Sequence, residues 1–167
     1  RISPDLTTDN PDKQQQFASG GLSIDNSTAE NNCTIYTIAE SPVADQTIWA
    51  GTDDGHLQVT SDGGKNWQNV IANVPDLPEN TWITFVDPSP HDAKTAYVTF
   101  DHHRMGDMTT YRYKTTDLGA TWTCLTNTED VSGYALSVRQ DLVQPNLLFL
   151  GTEFGLYISL DDGTTWA

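Results

Sequence analysis

One eight-residue pattern occurs three times in this chain. Thr60-Ser61-Asp62-Gly63-Gly64-Lys65-Asn66-Trp67, Thr115-Thr116-Asp117-Leu118-Gly119-Ala120-Thr121-Trp122 and Ser159-Leu160-Asp161-Asp162-Gly163-Thr164-Thr165-Trp166 all read Ser/Thr-x-Asp-x-Gly-x-x-Trp, at intervals of 55 and 44 residues (62 to 117, 117 to 161). Such a period marks a repeat architecture, in which one supersecondary unit is stacked several times. The residue types explain the pattern. A Ser/Thr hydroxyl and an Asp carboxylate bond backbone N–H groups across a tight turn, glycine accepts a positive φ, and tryptophan covers the packed layer beneath. Thr60, Asp62, Gly64 and Trp67, Thr115, Asp117, Gly119 and Trp122, and Ser159, Asp161, Gly163 and Trp166 are therefore structural, and their carboxylates are satisfied turn groups rather than catalytic ones.

The flanks repeat too. Two short β-rich runs precede each turn, at 33–39 and 47–51, 81–86 and 96–100, and 134–138 and 147–151, joined by links holding Pro42, Pro88-Ser89-Pro90 and Pro145. A third run leads into each turn, at 56–59, 110–114 and 156–158, and a fourth leaves it at 68–71 and 123–125. Each unit thus reads as four antiparallel strands, A to D, and no stretch has helical periodicity. The spacing fits the four-stranded blade of a β-propeller.

These turns resemble Asp boxes, the bacterial neuraminidase repeats of sialidases, sortilin-type receptor domains and xyloglucan-active tandem-propeller glycosidases. Ile48-Trp49-Ala50-Gly51-Thr52-Asp53-Asp54-Gly55, Asp87-Pro88-Ser89-Pro90-His91-Asp92 and Leu148-Phe149-Leu150-Gly151-Thr152-Glu153-Phe154-Gly155 look most like secreted bacterial propeller proteins labelled glycosyl hydrolase or sortilin-like. The resemblance covers nearly the whole chain and speaks for fold more than for activity. It implies an all-β partial propeller of about three four-stranded antiparallel blades with Asp-box turns. Residues 1–3 look like strand D of a preceding blade, 4–32 form a long loop, 33–71 are blade 1, 81–125 blade 2, and 133–167 blade 3 without its last strand. An open stack of three leaves two exposed sheet faces, so the expected complement is the rest of a parent propeller or a second copy completing the ring. The cut blade and the absence of an initial Met favour the fragment.

Composition narrows the partners. Eight Lys and Arg against 23 Asp and Glu give a net charge of −15, which opposes binding to nucleic acid or an anionic membrane. No apolar run approaches the roughly 20 residues of a membrane-spanning helix, and no signal peptide is present. Cys33 and Cys124 are too few for a disulfide framework, leaving one bridge or two buried thiols. The resemblance implies a secreted or periplasmic bacterial location. The sequons Asn26-Ser27-Thr28 and Asn32-Cys33-Thr34 are then chance matches.

Up-and-down strands put the D–A and B–C loops on one face, where propeller ligands sit, and the repeated turns on the other. Four features fall on this first face. The loop 4–32, with Ser19-Gly20-Gly21 and Asp25-Asn26, reads as a functional lid or a mobile acidic loop. The B–C loop Asp101-His102-His103-Arg104-Met105-Gly106-Asp107-Met108 is the densest polar cluster, but adjacent histidines on a strand point to opposite sides, so no metal site is expected. Asp53, Asp54 and Glu153 occupy tight B–C turns. With Asp101 and Asp107 they are the candidates for a glycosidase pair, which needs carboxyls about 5–5.5 or 6.5–9.5 Å apart, although ordinary turn chemistry is the better explanation of the tight turns. Trp82 and Tyr134 start innermost strands near the channel mouth, where with His102, His103 and Arg104 they offer a binding surface, or else pack between blades. Arg104, Arg112 and Arg139 do not converge as a sialidase's carboxylate clamp requires. The sequence therefore points to a glycan- or peptide-binding or scaffold segment without cofactor. The alternative is part of a sialidase-like or xyloglucanase-like glycoside hydrolase.

Overall fold

The computed structural model describes residues 1–15, 17–18, 31–125 and 131–167. Strands β1 (Ile35–Glu40), β2 (Ile48–Thr52), β3 (Leu57–Thr60) and β4 (Gln68–Asn69) form the first sheet. The second holds β5 (Trp82–Pro88), β6 (Ala96–His102), β7 (Asp107–Thr115) and β8 (Thr123–Cys124), and the third β9 (Ala135–Gln140), β10 (Leu148–Thr152) and β11 (Leu156–Ser159). Every neighbouring pair is antiparallel and follows chain order, so each sheet is a propeller blade. Three-residue 3₁₀ turns occur at Pro11–Lys13, Ile71–Asn73 and His103–Met105, and no helix among the described residues is long and apolar enough to cross a membrane.

Strand limits differ from the sequence reading where local chemistry intervenes. The first strand starts at Ile35 rather than 33 because Cys33 takes a φ of 67°, outside the extended region. The fourth run of blade 1 ends at Asn69, whose Oδ1 accepts the N–H of Ile71 and turns the chain into a 3₁₀ turn. In blade 2, β6 runs on to His102 and β7 begins at Asp107. The expected eight-residue loop thus contracts to a 3₁₀ turn closed by Gly106 at a φ of 82°.

The core lies between blades. β5 packs on β1 and β2, and β9 on β5 and β6. Trp49, Leu57, Val70, Ile83, Val86 and Trp122 fill the first seam, and Tyr97, Leu125, Val138, Leu150 and Trp166 the second. Trp122 meets Trp49 edge to face, with centroids 6.1 Å apart. Cys33 and Cys124 form no disulfide: the first is half-buried at one end of blade 1, the second exposed on the outer strand of blade 2.

The three turns are built alike. The hydroxyls of Thr60, Thr115 and Ser159 each donate to the following Asp at 2.8 Å and accept the N–H of Gly64, Gly119 or Gly163. The same carboxylates accept the N–H of Asn66, Thr121 or Thr165 at 2.8 to 2.9 Å. Hydrogen bonds from Asn66, its N–H foremost, hold the Asp62 carboxyl down at about 2. The Thr121 and Thr165 side chains likewise lower Asp117 and Asp161.

Two outcomes are expected. Trp122, 8% exposed within the first seam, leaves a cavity when truncated, so Trp122→Ala costs about 3–5 kcal/mol in a urea titration. Because the folded carboxyls titrate below their unfolded values, the turns are at full strength above the usual carboxylate range and weaken as pH falls below it, that of Asp62 through about 2. Near-ultraviolet circular dichroism should show tryptophan packing lost over that interval; a signal unchanged down to pH 2 would contradict this.

Candidate functional site

The B–C connections and inner-strand starts gather at one end of the blades, opposite the repeated turns. The loop of blade 2 dominates this end. Asp101, at the end of β6, accepts the N–H of His103 at 2.8 Å and faces His103 Nδ1 at 2.5 Å with its other oxygen. That fixes His103, whose ring stacks on Tyr134 with centroids 4.3 Å apart and planes 16° from parallel. Its neighbour Arg104 lies over Trp82, 3.9 Å from the ring centroid, while Tyr36 approaches the same indole at 5.5 Å. One short loop therefore clamps the aromatic residues that open the inner strands of blades 2 and 3. His102 points elsewhere, its Nδ1 3.2 Å from Thr81 Oγ1, as strand alternation requires.

Beside this clamp lies a cleft of about 340 Å³. Asp53, Asp101 and Glu79 supply carboxylates, Lys13 and Arg104 supply cations, and Trp82 forms an apolar wall. Asp53 is 5% exposed and accepts the N–H of Thr34 at 2.7 Å. Burial, reinforced by the charge of Asp54, pushes its carboxyl up to about 6. At Asp54 burial acts in the same sense, but hydrogen bonds outweigh it and hold the group below its usual range. Thr8 is one donor, through its N–H at 2.7 Å and its hydroxyl at 2.6 Å. Two adjacent carboxyls thus titrate apart, one suited to hold a proton and the other ionised.

Of the five acidic candidates, only Asp53 and Asp101 line the cleft. Asp54 is turned to Thr8, and Asp107 accepts from Tyr111 and Thr109. Glu153 lies in the B–C turn of blade 3, where its N–H bonds the carbonyl of Tyr134. Trp82, His102 and Arg104 line the cleft; His103, in the same loop, faces away from it and pairs with Tyr134 of the next blade. Ser19-Gly20-Gly21, Asp25-Asn26 and the sequon at Asn26 lie outside the described residues. Asn32 is 4% exposed, so the amide of the second sequon is buried in the folded chain.

The three arginines weighed as a carboxylate clamp stand at separate places. Arg104 is on the clamp, Arg112 is fully buried with its Nε donating to Leu125 O at 2.9 Å, and Arg139 pairs with Asp87 at 2.9 Å. Among the described residues no three of His, Cys, Asp and Glu gather as metal ligands. Sequence reasoning missed Lys13, Glu79 and Asn80 in the cleft, although all three lie on D–A links, which the strand order assigns to this face. Lys13 Nζ donates to Asn80 Oδ1 at 3.0 Å and so ties two such links together.

No family profile matches the sequence, and no curated protein does. Solved structures do match. YCF48 from Cyanidioschyzon merolae is 21% identical over 80% of this chain and 36% of its own, with a TM-score of 0.59. A structure of YCF48 bound to D1 peptide is 18% identical over 80% and 40%, at 0.58. The GH74 xyloglucanase from Xanthomonas campestris is 19% identical over 81% and 21%, at 0.59. The chain spans less than half the length of each of these propeller proteins, and at these identities the likeness shows the fold alone.

The displaced titration of Asp53 has a measurable consequence. A carboxyl raised to about 6 contributes full stability below the usual carboxylate range, and that contribution is lost as pH rises through about 6. Asp53→Asn keeps an oxygen for Thr34 and should therefore be more stable than the parent at pH 7.5. The urea midpoints should converge below about pH 4; a variant less stable than the parent at pH 7.5 would contradict the assignment.

Proposed function

We propose that this chain is a segment of a secreted Asp-box propeller that binds a peptide in the first-face cleft beside Trp82. The observation that carries this reading is the mixed charge of the cleft. Lys13 and Arg104 share it with Asp53, Glu79 and Asp101, a set of donors and acceptors suited to the amides and charged side chains of a peptide. A sugar would stack on bare aromatic faces, and here Arg104 already covers Trp82 while His103 covers Tyr134. A fold neighbour bound to a peptide is consistent with this choice. The net charge of −15 directs the site towards neutral or basic sequences.

One observation favours a second reading. Asp53, protonated up to about 6, shares one cleft with a second carboxyl, Asp101, and glycoside hydrolysis works between two carboxyls. A GH74 xyloglucanase shares the fold.

Calorimetric titration of a peptide library and a panel of oligosaccharides, with aryl glycosides as a turnover assay, separates the two. The peptide reading expects saturable peptide binding that Trp82→Ala and Arg104→Ala each weaken at least about tenfold, or about 1.4 kcal/mol, without glycoside turnover. Turnover abolished by Asp53→Asn would replace it with the hydrolase reading.

A further inference from the structure

The charges of the first-face cleft do not pair off among themselves. Its lysine and arginine are already engaged: the Arg104 guanidinium lies over Trp82, and Lys13 Nζ donates to Asn80 Oδ1. Asp101 is engaged too, with both of its oxygens on His103. Asp53 and Glu79 remain, and among the described residues no ion pair reaches either of them. Glu79 is exposed, so water satisfies its carboxylate. Asp53 has no such recourse. It is 5% exposed, and only its Oδ1 has a hydrogen-bond donor, the N–H of Thr34. Oδ2 has no donor among the described residues, yet it is not sealed from solvent, so it opens on the cleft that Asp53 lines.

A carboxylate this deeply buried calls for a cation or for further donors, and the described residues around it supply neither. Its titration near 6 has the same origin, since burial outweighs the hydrogen bonds it receives. The walls of the cleft narrow the choice of cation. Met105, 57% exposed, and Trp82 line it with apolar surface, against which a chain of methylenes packs. One open oxygen makes one charge-assisted bond to an ammonium. A guanidinium draws its advantage from two parallel bonds to a carboxylate, and here Thr34 already holds the second oxygen. A volume of about 340 Å³ is near the lower end for ligand sites and accommodates one long side chain.

We propose that the cleft is a lysine pocket, in which the ammonium of a ligand lysine pairs with Asp53 Oδ2 while its methylenes lie along Trp82 and Met105. This rests on the reading of the cleft as a peptide site and narrows that reading to sequences that present a lysine. Asp53 is then the residue that sets specificity. The ligand cation completes a pairing that the chain leaves open, whereas the net charge of −15 acts only at long range and is screened by salt.

Chemical-shift titrations read at the Trp82 indole test it at pH 7.5. The probes are capped five-residue alanine peptides with lysine, arginine, norleucine or glutamate at the centre. The lysine peptide should bind at least about tenfold more tightly than the norleucine peptide, which has the same four-carbon stem without the charge, and more tightly than the arginine peptide. Asp53→Asn, which keeps an oxygen for Thr34, should bring the lysine and norleucine peptides within about twofold of each other. Asp45→Asn removes the same charge from an exposed loop on the opposite face and should preserve the preference. Near-ultraviolet circular dichroism checks that Asp53→Asn is folded; Asp53→Ser replaces it if it is not. If no peptide moves the indole up to about 10 mM, the peptide reading falls and the lysine pocket with it. Equal binding of lysine and norleucine, tighter binding of arginine, or a lysine preference that survives Asp53→Asn would each overturn the lysine pocket alone and leave the peptide reading standing.

Discussion

The tryptophan that closes each repeated turn spans the seam between its own blade and the one before it, and the rest of the structure depends on that contact. Trp122 packs edge to face on Trp49, Trp166 lies 5.2 Å from the Arg112 guanidinium and donates to Leu125 O, and Trp67 donates to Ile2 O. A four-stranded antiparallel blade buries little by itself. The aromatic bridge gives each sheet a second apolar layer and fixes its position relative to its neighbour. The turn beneath it is a rigid mount, because hydroxyl, carboxylate and glycine satisfy one another's hydrogen bonds within a few residues.

Fixing the blades at one end positions the cleft at the other. β5 and β9 descend from the clamp side by side, which brings Trp82 and Tyr134 within reach of one loop. His103 and Arg104, adjacent in sequence, then reach aromatics on two different blades, and Asp101 holds the loop in that posture. The N-terminal strap runs along blade 1 from Ile2 at the turn end, through Leu6, whose carbonyl accepts from Gln58, to Thr8 and Lys13 at the cleft. The cleft is thus walled by segments that meet only after the blades have stacked.

That order explains what was legible in the sequence. Strand number, pairing and the structural role of Asp62, Asp117 and Asp161 follow from local chemistry repeated three times, and local chemistry is what a sequence displays. Placing Trp82 and Arg104 on the same face required only strand alternation and loop order. The stacking of Arg104 on Trp82 was not visible, since it depends on how the loop folds back over β5, and that of His103 on Tyr134 depends on how far apart two blades sit. Arg112 looked like an ordinary mid-strand residue. It is buried because it holds the position of Leu57 in the next seam and finds the Leu125 carbonyl there. The division between Asp53 and Asp54 was equally hidden, because it turns on burial and on a set of donors to Asp54, Thr52 foremost, that includes Thr8 from 46 residues away.

The central claim is that ligand chemistry belongs to the clamp end and that the repeated turns serve structure alone. Amide and indole chemical-shift mapping of the 18.4 kDa chain, titrated with the best-binding peptide of a library, tests this most directly. The account predicts saturable shifts confined to the Trp82 indole, Asn80, Thr34 and the residues around Arg104. Shifts centred on Gly64, Gly119 and Gly163, with the Trp82 indole unmoved, would contradict it.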